Sequence, residues 1–452
     1  MSFRQNLIHA RSHLIFLTAI ACGLALVTYL EADTEMEKTV TKSETFAHAG
    51  QIIDQNAMST LEAIEPLPIA PRRSATPTDV AHAKTAWRYF ENNTDANTGL
   101  VNSANKYPST TMWETGSYFV AVISAQLLEV IDANEAEARL SKALETLATI
   151  KLYDGILPNK AYNVQSGALV DYSNKPSDIG LGWSALDIAR ITATFGLIER
   201  HHPALTPKVA IILDRWDLAR MVKDGQLIGG NISNGKLRED QEGRVGYEQY
   251  AAKAMMLFGF DMFDAYDVSD NIMIKDVEGQ PVPVDTRMHR NTIPAFTVSE
   301  PYLFDGLEFG FDSRSRKFAT AIYKAQEARF QNNGVLTAVS ETHLDEAPYF
   351  AYSSIWGGGA AWSVLSFKGE RMDSRRTIST KAAFGWDALF GTEYTQTLLD
   401  AVTPLGDPEQ GFPEGLYEID KSTNESITAN TNAVVLASLA FRVAGPLLHA
   451  AP

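Results

Sequence analysis

Residues 246–262 read GYEQYAAKAMMLFGFDM. After the glycine and an acid-bearing first turn, apolar side chains return at Ala251, Met255, Phe258 and Met262, the spacing of one face of an α-helix. The same arrangement, a polar or glycine-bearing junction opening an amphipathic run, recurs along the chain. It predicts helices starting near Val80, Trp113, Glu135, Gly180, Pro207, Ser313, Gly357, Thr380 and Asn430, with shorter ones over 302–309 and 396–402. Two stretches break the series. KDGQLIGGNISNGKLRED carries Asn234-Gly235, a type I′ turn signal, and IMIKDVEGQPVPVD reads as a second hairpin. About ten to twelve helices without strand–helix alternation predict an all-α fold in which helix packs on helix. Paired helices in that number close into an (α/α)6 toroid (barrel), here with two small β-hairpin insertions. Such a barrel gathers the loops at one end of its inner helices into a cleft.

The flanks divide the chain further. Leu14 to Leu30 is an apolar run with Arg4 and Arg11 before it and Glu31, Asp33, Glu35 and Glu37 after it. That asymmetry places the N-terminus inside and the body outside. Residues 1–31 are therefore expected to be an N-terminal membrane anchor helix, or a cleaved signal peptide. Residues 32–77, with four prolines in PLPIAPRRSATPT, read as a linker, and 78–452 as the barrel. The expected location is the periplasm or cell envelope, either anchored to the inner membrane by residues 14–30 or secreted after cleavage.

Composition removes several function classes. The 452-residue chain has a formal charge of -16, which disfavours nucleic acid as a partner, since phosphate contact needs a basic face. Its single cysteine is Cys22, inside the apolar run, so no thiol nucleophile or thiolate metal cluster is available to the body. Gly230 to Lys236 resembles a phosphate loop, but Leu237 stands where a Ser or Thr would hold magnesium. His201-His202 ends a helix, where a cation suits the dipole. Neither a zinc-protease helix nor a serine nucleophile elbow occurs. No metal and no cofactor is expected.

What recurs is a carboxylate beside an aromatic ring at a loop-to-helix junction. The instances are Trp113-Glu114, Asp178 near Trp183, Tyr247-Glu248, Glu300 with Tyr302 and Asp305, and Glu414 near Phe412 and Tyr417. Any one of these acids alone would be an ordinary N-cap or a complement to the helix dipole. In a barrel, however, such junctions share one rim. Rings stack on sugars and paired carboxylates supply acid and base, so the shared cleft reads as a carbohydrate site.

These junctions also carry a resemblance. GLVNS, MWETGSYFVAV, KPSDIGLGWSALDIAR, EGRVGYEQYAAKAMMLFGFD, SEPYLFDGLEFG, EGLYE and TANTNAVVLASL, from about Thr85 to Ala440, resemble the bacterial family called domain of unknown function 3131. Tyr247–Gly259 and Asp178–Leu186 more distantly resemble the β-1,2-glucanases and the glucoamylase-like part of cyclic β-1,2-glucan synthases, with Gln249 where a second acid is common in that clan. The resemblance implies an (α/α)6 enzyme that cleaves β-1,2-glucan by inversion. On that reading Glu248 is the general acid, raised by its Tyr247 and Tyr250 surroundings, with Glu414 the leading base and Asp178 the second candidate. Substrate-binding residues are expected at Trp113, Glu114, Trp183, Tyr247, Glu300, Asp305 and Trp386. A non-catalytic glycan-binding envelope protein and a glucan transglycosylase on the same fold are the alternatives.

Overall fold

Short polar side chains decide where most helices begin. The structure, a computed structural model, describes residue 54 and residues 56–449 apart from 234 and 290–292. Thr76, Thr111, Asp132, Ser184, Asp312, Ser379, Thr392 and Thr428 each accept a backbone N–H of the first turn they precede, filling donors that a helix cannot satisfy internally. Thirteen α-helices result among the described residues. They are α1 (Ala57–Glu62), α2 (Pro77–Asn93), α3 (Met112–Leu127), α4 (Ala133–Leu147), α5 (Ala185–His201), α6 (Thr206–Arg215) and α7 (Tyr247–Met256). After these come α8 (Phe263–Tyr266), α9 (Glu300–Phe304), α10 (Ser313–Asn333), α11 (Thr380–Phe390), α12 (Glu393–Val402) and α13 (Ala429–Ala444).

The odd-numbered helices from α3 to α13 stand side by side, and α13 packs back onto α3 to close a ring. Helices α2, α4, α6, α8, α10 and α12 lie against them on the outside. This is the expected (α/α)6 toroid. The inner helices are apolar over most of their circumference, as buried helices must be. They also approach closely: a Cβ on Gly116 of α3 would meet the Ile191 backbone of α5 at 3.2 Å.

First-turn residues of the inner helices touch one another, so their N-termini share one end. Trp113 meets Tyr247 at 5.6 Å between ring centroids, and Asn430 donates to Glu300 at 3.1 Å. The other end is closed. Leu447 and Leu448 hydrogen-bond the carbonyls of Leu307 and Glu308, in the π-turn Asp305–Phe309 that continues α9. A strap before α2 runs across the C-terminal ends of α11 and α13, where Ala70 binds Leu389 and Arg73 binds Arg442, backbone to backbone.

Several expectations change. The helix predicted near Gly180 starts at Ala185, because Gly180 and Gly182 take positive φ and Ser184 is the cap. No helix starts at Gly357. Trp356–Gly357 and Ala360–Ala361 pair as strands around Gly358 and Gly359, both at positive φ. Both expected hairpins form, at Gln226–Ser233 with Lys236–Gln241 and at Ile272–Val277 with Gln280–Asp285. Two insertions were too few, however, since seven small sheets occur among the described residues. The expected linker is, from Ala57 on, packed on the barrel: Ala57 and Leu61 are buried, and Arg316 holds the Leu67 carbonyl. The anchor expected at Leu14–Leu30 lies outside the described residues. Among the described residues no helix is long and apolar enough to cross a membrane.

Candidate functional site

The rim formed by the inner N-termini is lined with acids. Glu114 sits in the first turn of α3, Asp187 in that of α5, and Glu300 opens α9, while Glu341 arrives on the strand Glu341–His343. Helix N-termini carry partial positive charge, which is why acids are tolerated there. One cation joins them: Lys381, buried in the first turn of α11, pairs with Glu300. Burial alone would depress Lys381, but Glu300, Glu414 and Glu341 around it outweigh burial and raise its pKa.

Asp187 and Glu341 differ from the other acids. Both are half-buried, and neither forms an ion pair among the described residues. Removal from solvent pushes the Glu341 carboxyl up to about 8, with Glu300 adding repulsion and Asp187 a smaller part. Asp187 is pushed up to about 7 by burial, then by Glu114 and Glu242. The hydrogen bond that favours the charged form of Asp187 is a divided one. The Ser184 hydroxyl lies 2.8 Å from Glu242 and 3.0 Å from Asp187, yet has one proton to give. Glu242 also accepts the Ala185 N–H at 2.7 Å. A proton given to Glu242 is not available to Asp187, so Ser184 does little to hold Asp187 ionised. Above them Tyr247 turns its buried hydroxyl toward Glu341 without closing a hydrogen bond. Burial, Glu300 and Glu341 hold that phenol protonated.

The remaining expected site residues fall into three groups. Trp113, Glu114, Tyr247 and Glu300 are at the cleft, where Trp113 is half-buried and packs on Tyr247 and Phe304. Glu414 lies behind the cleft with almost no exposure. It accepts the hydroxyls of Thr342 at 3.0 Å, Thr428 at 2.6 Å and Thr431 at 2.7 Å, tying the Glu341 strand to the start of α13. Glu248 turns toward the Asp285 hairpin, accepting from Gln241 at 2.8 Å and from Arg287, which also holds Asp285. Burial outweighs Arg287 and leaves its pKa above the usual value.

Others stand apart from the cleft. Asp178 is exposed and lies before α5 rather than in it. Asp305 is buried against Lys253 at 2.6 Å. Trp183 and Trp386 are fully buried. Trp183 donates to the Ile228 carbonyl at 2.8 Å and Trp386 stacks on Phe390. A Cβ on Gly230 would strike the Trp183 ring at 2.6 Å, so that indole is wedged under the hairpin. Among the described residues no cluster of His, Cys, Asp and Glu is arranged to hold a metal ion.

Asp187, Glu341, Glu242 and Lys381 were not singled out from sequence. Ser184-x-x-Asp187 is a cap pattern that could have marked α5 and its acid. Glu341 follows no helix junction, and nothing local distinguishes it.

Residues 81–445 match the family described as a protein of unknown function, DUF3131. No curated protein matches the sequence. Among solved structures, the chain is similar to an endo-β-1,2-glucanase from Chitinophaga pinensis in complex with sophorotriose and glucose. The two are 11% identical with a TM-score of 0.59, over 83% of this chain and 94% of that one. An endo-β-1,2-glucanase from Talaromyces funiculosus with β-1,2-glucan is 12% identical, with a TM-score of 0.54 over 82% and 83%. An α-amylase from Clostridium perfringens is 12% identical, with a TM-score of 0.50 over 81% and 99%. These likenesses establish the glucoamylase-like toroid as the fold.

Proposed function

The chain belongs to the DUF3131 family, and we propose that it is a glycoside hydrolase acting on a β-glucan. One observation carries this reading: two half-buried carboxyls at one cleft, neither in an ion pair, have pKa values raised to about 7 and about 8. Near neutral pH such a pair can hold one proton to give and one lone pair to take one, as glycosidic cleavage requires. Glu341 donates its proton to the departing glycosidic oxygen as the general acid. Asp187, ionised above its pKa, draws a proton from water, which attacks the anomeric carbon from the opposite face and inverts it. Tyr247 and Trp113 offer ring surface to the sugar, and Glu300 with Lys381 fixes the local charge.

This assignment moves the acid and base away from Glu248, Glu414 and Asp178. Glu248 and Glu414 have their oxygens taken by donors, and Asp178 is exposed in the loop before α5. The β-1,2 linkage is supported by the substrates named for two similar structures. Export with the body outside the cytoplasm is supported by the charge asymmetry around Leu14–Leu30. A reporter fused after Pro452 that works only in the cytoplasm would overturn the export assignment.

Incubation with linear and cyclic glucans of defined linkage, read by product mass and anomer, tests the central reading. Net inversion on a β-1,2-glucan is expected. Products that retain configuration would exclude the acid–base pair as written, and no cleavage of any glucan would exclude hydrolysis.

A further inference from the structure

Side chains alternate along a strand. In the strand Glu341–His343, Thr342 turns back to Glu414, so Glu341 and His343 share the other face. The antiparallel register sets Glu341 opposite Tyr352 and His343 opposite Phe350, and directly opposed residues project from the same side of a sheet. One face therefore runs from Glu341 through Tyr352 to His343 and Phe350. The rings on it touch. Phe350 meets Tyr352 edge-on at 5.1 Å and His343 at 5.3 Å, while Phe296 covers one side of Tyr352 at 3.8 Å. All four are half-buried. On the reverse side Ala351 and Ser353 are fully buried, so that side is the packed one. At its inner end the track reaches the cleft, because Tyr352 is paired with Glu341 itself.

We propose that this aromatic face is a saccharide subsite that receives the glucan chain beyond the sugar held at Glu341. The inference rests on the hydrolase reading above and adds a preference for long chains. Tyr352 and Phe350 are two residues apart, about 7 Å along a strand, enough to offer separate contacts to successive sugars. Rings bind the C–H faces of sugars by dispersion and exclusion of water, and they need no charge from an acidic protein.

The test uses full-length protein carrying Glu341→Gln, so that bound glucan is not cleaved. Calorimetric binding of β-1,2-linked glucans, from the disaccharide to the polymer, should tighten with length. Adding Tyr352→Ala or Phe350→Leu should flatten that dependence and weaken polymer binding roughly three- to tenfold. Melting curves of each variant separate this from misfolding. An undiminished length dependence in both variants overturns the subsite while leaving the hydrolase reading intact. Full turnover by the Glu341→Gln protein overturns the acid assignment instead, and no binding at any length overturns both.

Discussion

Two acidic regions lie within a few turns of each other and behave differently. On the hairpin side of α7, Glu248 is closed by Arg287 and Gln241, and Asp285 shares the same guanidinium. At the cleft, Glu341 and Asp187 are crowded by other acids, and Lys381 near Glu341 and Lys160 near Asp187 offset that crowding and burial only in part. Both regions are desolvated, so burial alone does not separate them. Their partners do: Arg287 and Gln241 occupy the oxygens of Glu248 and make it structural, whereas carboxyls crowded by like charge keep a proton they can exchange.

The largest test of this contrast is Glu341→Gln. Glutamine keeps the shape but cannot donate the proton, so turnover on a β-glucan should fall by roughly 10²–10⁴-fold. Asp187→Asn should cost at least roughly 10²-fold by the same argument. A Glu341→Gln enzyme as fast as wild type would erase the distinction between the regions.

Next comes the pH profile. Turnover should rise as pH passes about 7 and Asp187 ionises, then fall as pH passes about 8 and Glu341 loses its proton. The expected bell is narrow, and Asp187→Asn should remove its acidic limb. A rate flat from pH 5 to pH 9 would contradict both assignments.

Glu248→Gln sharpens the comparison from the other side. It breaks one arm of a buried ion pair but leaves Arg287 with Asp285, so about 1–3 kcal/mol of stability should be lost. Turnover, measured on the same preparation below the melting temperature, should stay within a few-fold of wild type. A selective collapse of turnover would return Glu248 to the chemistry.

The smallest effect is on stability. The folded pKa of Glu341 lies above its ordinary 4.5, so the native state holds more protons than the unfolded one between about 4.5 and about 8. Stability is then lost as pH rises through that window. Glu341→Gln should raise the melting temperature at pH 8 by roughly 1–3 °C and leave it unchanged at pH 4. Equal shifts at both pH values would mean that the carboxyl is not held protonated.

Much of the toroid was legible because 3.6-residue periodicity survives in single helices. Tyr247, Ser313 and Thr380 open helices where the apolar spacing places them. The two longer hairpins were legible from their turns, but the shorter sheets were not. Glu341–His343 and Thr377–Ser379 are three residues long, too short for alternation to stand out. The site was half legible for a related reason. Glu300, Glu114, Tyr247 and Trp113 sit at helix starts, which sequence can locate, but it cannot say which way a first-turn side chain points. Glu248 and Tyr247 are neighbours, and only the tyrosine faces the cleft. The helix that carries Asp187 starts five residues past the expected Gly180, after a glycine-bent loop, and Glu341 acquires meaning only from what the fold brings beside it.

The strap before α2 meets the barrel at the C-terminal ends of α11 and α13, the end away from the cleft. A pull on the N-terminal segment would be met first at α1, where Asp54 accepts the Ile274 N–H and Lys317 holds the Glu62 carbonyl, then at Leu67, gripped by Arg316, and last at the Ala70 and Arg73 backbone bonds. Three successive grips would therefore share the load before the chain enters α2, and none of them alone would carry it. The strap would act as the last stop in that series, taking load at the end opposite the inner-helix N-termini.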